Sequence, residues 1–259
     1  GLKNKARQQP NQKAFDVFRE VMREVHYTDE AQLAVLEGLP RGDLVDYAAR
    51  ARREIWIEGF VYGNLTAERV REMGAGVAAA LAPQRALAPA ERWERRVLTM
   101  APGTSVVVRR PIESNDSVTM LLYEHEPFTA VSRPAFHVLK QVVANRFYQD
   151  LRTLQQTGYI VYAGGLDLEG MPLFYFLSQS PVVDTVEPRG RFESFLRHLP
   201  TDLEELKPEE FEAARQSARS ELLTRRKDFK EELTWNFYTA YGQYADFGCL
   251  EREAKEIDA

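Results

Sequence analysis

The 259-residue chain is predicted to adopt an α+β fold, with helices packed on one face of a mostly antiparallel sheet. Three observations carry that prediction. Apolar residues recur at helical spacing over Lys13–Tyr27, and capped helices with one strand among them follow up to Leu81. A stretch without periodicity, "PQRALAPAE" from Pro83 to Glu91, then breaks the pattern with prolines and alanines. Beyond it the order reads β-β-β-α-β-β-α-α-α, which suits a layer of helices on a largely antiparallel sheet.

The elements follow in order. Ala14, Phe15, Phe18, Val21, Met22 and Val25 share one face of a helix over Lys13–Tyr27. Thr28 is placed to cap a shorter helix ending near Gly38-Leu39-Pro40, and a third helix spans about Gly42 to Arg53. "EIWIEGFVYGN" is rich in β-branched and aromatic residues, so a strand is expected from Ile55 to Tyr62. Thr66 caps the next helix, which carries "GAGVAAALA" to Leu81.

After the linker, "RVLTMAPGTSVVVRRPI" reads as two strands about Pro102-Gly103, and Ser117–Glu126 as another. A helix from Ala130 to Leu151 aligns Phe136, Leu139, Val143 and Phe147. Strands Gly158–Leu166 and Pro172–Gln179 are joined by the hairpin signal Asp167-Leu168-Glu169-Gly170. Helices over Arg189–Leu199, Pro208–Lys227 and Phe229–Tyr244 complete the order.

Length and apolar content suit two core units rather than a disordered or disulfide-stapled chain. A formal net charge of −5, mixed in sign along the chain, argues against nucleic acid as a partner. The single cysteine, Cys249, excludes an internal disulfide and a cysteine-based zinc cage. No apolar run approaches the roughly 20 residues of a membrane span. A soluble chain with no membrane partner is expected, in periplasm or cytoplasm alike. The start at Gly1-Leu2-Lys3 rather than Met reads as a cut boundary, so the chain is expected to be a fragment.

Local motifs for chemistry are sparse. The four histidines, His26, His125, His137 and His198, are scattered, and neither H-E-x-x-H nor H-x-x-E-H occurs. In "HEPFT" the position of a second histidine is Thr129, and Pro127 interrupts any helix that would align two imidazoles. No G-x-S-x-G elbow is present, and Cys249 reads as a small apolar residue in a loop beside a helix. The glycines of "GAGVAAALA" lie within a helix, not after a strand, which removes a phosphate loop. Arg225-Arg226-Lys227 with Lys230 reads as a solvated helix end, or as an anion contact inside a cavity. Arg152 falls near the end of a long helix and Tyr159 at the mouth of the next strand. By pattern alone the arginine complements the helix dipole and the tyrosine packs with its hydroxyl at the rim.

Larger stretches carry more. "FYQDLRTLQQTGYIVYAG" is similar to the Phe-x-x-x-Leu-Arg-Thr and Gly-Tyr signature of the pitrilysin/insulinase family of zinc metallopeptidases. "IWIEGFVYGNLTAERV", "SNDSVTMLLYEHE", "FYFLSQS" and "RFESFLRHL" resemble that family's segments in the same order. "LKPEEFEAARQSARSELLTRRKDFKEELTWNFYTAYGQYADF" resembles its helical tail. The resemblance is to the C-terminal, zinc-free half, and implies a pitrilysin/mitochondrial-processing-peptidase-like fold. On that basis residues 1–84 are expected to end a third α+β domain, 85–92 to be a linker, and 93–259 to form most of a fourth, cut before its last strand and helix.

The same resemblance implies the chemistry. Zinc, its ligands and the glutamate base would lie outside this chain, in an N-terminal catalytic half that is the expected partner, and peptides would be the substrates. This chain would hold no cofactor and would be inactive alone. Arg152 would hold a substrate carbonyl, and Tyr159 would bind substrate and donate to the oxyanion of the tetrahedral intermediate. Leu154-Gln155 stand where the family has an acidic pair, and Thr157 where it has an apolar residue, which bears on how the loop sits or on substrate preference. An inactive scaffold or peptide-binding subunit, and a peptidase dedicated to one precursor, are the alternatives the resemblance leaves open.

Overall fold

The computed structural model describes residues 9–129, 131–182, 184–242 and 246–258. In chain order its helices are α1 Pro10–Met22, α2 Asp29–Gly38, α3 Arg41–Ala51, α4 Ala67–Leu81, α5 Ser132–Phe147, α6 Val186–Glu204, α7 Pro208–Leu223, α8 Phe229–Gly242 and α9 Cys249–Asp258. Its strands are β1 Glu54–Ile55, β2 Arg85–Ala86, β3 Ser117–Glu124, β4 Ile160–Leu168 and β5 Met171–Ser180. Two compact units divide the chain.

One unit holds residues 27–95 with α8. Thr28 Oγ1 accepts from the Ala31 amide at 3.1 Å and Thr66 Oγ1 from the Arg69 amide at 3.3 Å, so both predicted caps form and each satisfies an orphan donor. The strand expected over Ile55–Tyr62 is a correction: only Glu54 and Ile55 enter a ladder, parallel to Arg85 and Ala86. The aromatic residues beyond serve packing instead, with Phe60 and Phe237 rings 6.1 Å apart. Arg226 of the basic run lies over the Trp235 ring at 4.2 Å, in the connection between α7 and α8 and not on a helix end.

The other unit holds residues 9–26, 96–225 and 247–258. Its centre is a three-stranded antiparallel sheet in the order β3-β5-β4. β4 and β5 are a hairpin whose two turn residues, Glu169 at φ 52° and Gly170 at φ 87°, both take the left-handed conformation. That mirror-image turn matches strand twist, and Asp167 Oδ1 locks it by accepting from the Gly170 amide at 2.7 Å.

Alternation along the strands sends each side chain to one of two layers. On one face Leu121, Val161, Ala163, Phe174 and Phe176 meet Val143, Phe147 and Leu151 of α5 and its extension, with Phe192 and Phe195 of α6. Phe147 is wholly buried, its ring 5.0 to 5.2 Å from those of Phe176, Phe192 and Phe195. Behind α5, helices α7 and α9 close a second cluster through Ala218, Leu222, Ala254 and Ile257. The opposite face meets α1, whose Phe18 and Met22 pack on Leu168, Met171 and Leu173. The periodicity of α1 was readable in sequence; the sheet it covers was not.

Two further expectations differ from the structure. Among the described residues, the pair of strands expected about Pro102-Gly103 enters no ladder beyond an isolated bridge between Val97 and Arg23. The residues of that stretch have the shape for a pleated surface, yet a strand exists only where an edge accepts it. Cys249 is buried at the start of α9, not in a loop, and α9 as a whole went unread in sequence. The α5 prediction began at Ala130, which lies outside the described residues, as does the Tyr244 end predicted for α8.

Candidate functional site

The signature stretch sits where α5 changes pitch. Past Phe147 the helix widens into a π-type turn over Tyr148–Leu154, and the Gln155 amide donates to the Asp150 carbonyl at 2.9 Å, an i to i−5 bond. Arg152 lies on this turn, half-buried, with no hydrogen-bond or ion-pair partner among the described residues. Leu154 faces solvent. Gln156 then takes a left-handed φ of 50°, reversing the chain towards β4.

Thr157 does what an apolar residue would do elsewhere, and adds an anchor. It is fully buried, its amide donates to the Leu151 carbonyl at 2.8 Å, and Arg191 of α6 donates to its hydroxyl at 3.0 Å and to the Gln155 carbonyl at 2.8 Å. Glu187 in turn holds the Arg191 guanidinium. The reversal is thereby fastened to α6 by a charged donor.

Tyr159 follows, its backbone amide donating to the Gln179 carbonyl at 3.1 Å and its ring about half exposed. The side chain is not free at the rim. Its hydroxyl donates to Asp116 Oδ2, in the turn ahead of β3, and accepts from Gln179 Nε2 at 2.5 Å. Gln179 is wholly buried and also donates to Asp116 Oδ2 at 2.6 Å, while its Oε1 accepts from the Asn11 amide of α1 at 3.0 Å. The bond to Asp116 and the carboxylate charge, with burial between them in weight, push the Tyr159 hydroxyl pKa above 10.0; Gln179 opposes them. The group therefore stays a neutral donor at physiological pH.

The structure thus brings Tyr159 together with Asp116 and Gln179, and leaves Arg152 on the adjoining turn. Sequence reasoning missed Asp116 and Gln179. Asp116 is 43 positions from Tyr159 and Gln179 is 20, and no periodicity links residues on different strands. A polar Gln inside the apolar run "FYFLSQS" was the one available signal, because a buried amide needs partners.

Among the described residues no group of three or more His, Cys, Asp or Glu side chains is arranged to hold a metal ion. His137 Nε2, 3.1 Å from Glu253 Oε2, joins two helices, and the Arg133 guanidinium, 3.5 Å from the other carboxylate oxygen, is a cation that would repel a metal ion there. These residues do not fit zinc. No helix among the described residues is long and apolar enough to cross a membrane.

Comparison with known proteins now places this architecture. The family described as PQQ synthase PqqF-like, C-terminal lobe domain 4, matches residues 138–237. A nardilysin-like protein of Arabidopsis thaliana is 25% identical over 238 residues, covering 89% of this chain and 23% of the relative. The insulin-degrading enzyme of Homo sapiens is 23% identical over 215 residues, covering 82% and 21%. The crystal structure of pitrilysin superposes with a TM-score of 0.80 over 99% of this chain and 27% of that one, at 18% identity. The chain therefore spans about a quarter of the length of such relatives.

Fold, motif order and these matches together make the chain similar to a C-terminal lobe of the pitrilysin/insulinase kind. Across α5 to α8 its likeness is, more narrowly, to the PqqF-like branch.

Proposed function

We propose that this chain is the zinc-free half of a zinc metalloendopeptidase, closing a peptide chamber whose metal, ligands and general base belong to an N-terminal half. The observation that carries the reading is the position of Arg152 and Tyr159. Both lie on one short reversal, the cation with no partner among the described residues and the phenol half exposed. An arginine without a partner among the described residues suits a substrate carbonyl. A neutral phenol is a donor for an oxyanion, and one such donor contributes roughly 10²–10³ in rate when fixed where charge develops.

The test uses two preparations. This chain alone is expected to leave peptides uncut, and mixing with the N-terminal half is expected to restore cleavage that a chelator abolishes. In the joined protein Tyr159→Phe is expected to lower kcat far more than it raises KM. Chelator-sensitive hydrolysis by the chain alone, or an unchanged kcat in Tyr159→Phe, overturns the reading.

A second reading, a peptidase dedicated to one precursor, is favoured by the family match, whose description names a PqqF-like PQQ synthase. Cleavage of a single peptide, with general peptide mixtures left intact, distinguishes it from a scavenger. No cleavage by the joined protein with zinc supplied would leave the scaffold alternative.

A further inference from the structure

The hydroxyl assigned above to an oxyanion already has a use for its proton. Tyr159 donates it to Asp116 Oδ2, and wholly buried Gln179 donates to both the same carboxylate oxygen at 2.6 Å and the phenol oxygen at 2.5 Å. The Gln179 amide cannot turn away, because its Oε1 accepts from the Asn11 amide at 3.0 Å. Asp116 is fixed from its own side as well, its amide donating to Ser114 Oγ at 3.1 Å. A phenol has one proton and cannot donate it to a carboxylate and an oxyanion together.

We propose that Asp116 is a latch on Tyr159: it holds the hydroxyl proton in the resting protein and must yield it as an oxyanion forms. The role of Tyr159 rests on the function proposed above; the latch itself rests on the three-residue network. Release needs only rotation about the bond from ring to oxygen, since Gln179 keeps its bond to Asp116 when the proton leaves. Asp116 also lines a cavity of about 1,010 Å³ between α1 and β3, so solvent or a bound chain can reach the carboxylate without unfolding the unit. Asp116 acts as a positioning residue, not a catalytic one, because it touches the phenol and not the reacting atoms. A carboxylate beside a forming oxyanion opposes it, so the latch lowers the rate it controls.

The first experiment needs only this chain. Tyrosines labelled at the ring carbon bearing oxygen are followed by NMR against pH, with Tyr159→Phe identifying the Tyr159 signal. Asp116→Asn, and separately Asp116→Ser, is expected to move that titration to lower pH, because the carboxylate raises it in the wild type. An unmoved signal in folded variants overturns the latch. The second experiment uses the joined protein. Ground states keep the bond and the transition state loses it, so Asp116→Asn is expected to raise kcat several-fold, about 3–10, with KM little changed. A kcat that falls as in Tyr159→Phe overturns the latch and makes Asp116 a supporting partner. If Tyr159→Phe has no kinetic effect while the NMR shift occurs, the resting Asp116–Tyr159 bond stands, and the oxyanion assignment fails together with the release that the latch requires. Thermal unfolding of both variants separates these outcomes from loss of fold.

Discussion

Gly158 lies so close to Gln179 that a Cβ built on it would stand 2.3 Å from the Gln179 carbonyl oxygen and 2.7 Å from Ser178 Oγ. The carbonyl it would strike is the one that accepts from the Tyr159 amide. Glycine here is required by the approach of two backbones, and its φ plays no part. Gly158→Ala must push β4 away from β5 at the point where Tyr159 is registered. Overpacking of this kind costs about 1–3 kcal/mol. The expected result is a lower unfolding midpoint in urea together with loss of the Tyr159-to-Asp116 contact, read by NMR. An alanine variant with wild-type stability and an unmoved Tyr159 signal would contradict the close approach.

Arg191 holds the neighbouring reversal. Its guanidinium spans the Gln155 carbonyl and the Thr157 hydroxyl, 36 and 34 positions away in sequence, so it joins α6 to the loop. Arg191→Ala is expected to leave the sheet folded, since Phe192 and Phe195 still bury the same side of α6. Protease nicking between Leu154 and Thr157 should then rise, because local opening no longer breaks charged hydrogen bonds. Lysine at 191 reaches one acceptor and not two, and should protect only in part. Equal nicking in all three proteins would remove Arg191 from this role.

How far these relationships could be read from sequence depends on their range. Thr28 and Thr66 were readable because a cap acts across three residues. Glu169-Gly170 was readable because the turn type dictates its own residues. Of Phe136, Leu139, Val143 and Phe147, expected on one face, Val143 and Phe147 enter the core and Phe136 meets the Phe174 ring, while Leu139 stays exposed. By contrast, Val106, Val107 and Val108 have the chemistry of a strand and no partner edge among the described residues, so their propensity went unused. The Asp116–Gln179–Tyr159 network joins three segments that only the β3-β5-β4 pairing brings together. Thr157 looked like a departure from a family pattern, and only the buried bond from Arg191 shows how a hydroxyl fits there.

Glu253 fixes α9 to α5. It is almost fully buried, with one carboxylate oxygen 3.1 Å from His137 Nε2 and the other 3.5 Å from Arg133. Glu253→Leu fills similar space and leaves two donors facing an apolar side chain. An unsatisfied buried donor costs about 1–3 kcal/mol. The expected result is a lower urea midpoint, with Glu253→Gln recovering part of the loss because its carbonyl oxygen still accepts. A leucine variant as stable as wild type would show that packing of Ala254 and Ile257 alone holds α9.

Asp184 makes stability depend on acid. Its Oδ1 accepts from the Val186 amide at 2.8 Å and the Glu187 amide at 3.1 Å, at the start of α6. Those two bonds, Glu187 first, hold its carboxyl below the ordinary 3.8. A depressed folded pKa means the unfolded chain takes up a proton at higher pH than the folded one. The contribution is therefore complete above 3.8 and fades as pH falls through the lower folded value. Asp184→Ala should lower the melting temperature of this unit at neutral pH, through fraying of the helix that carries Glu187 and Arg191. The gap from wild type should narrow below the ordinary carboxylate range, where the protonated side chain accepts more weakly. Melting curves of the two proteins over a pH series test this, and a gap that stays constant down to strong acid would refute the linkage.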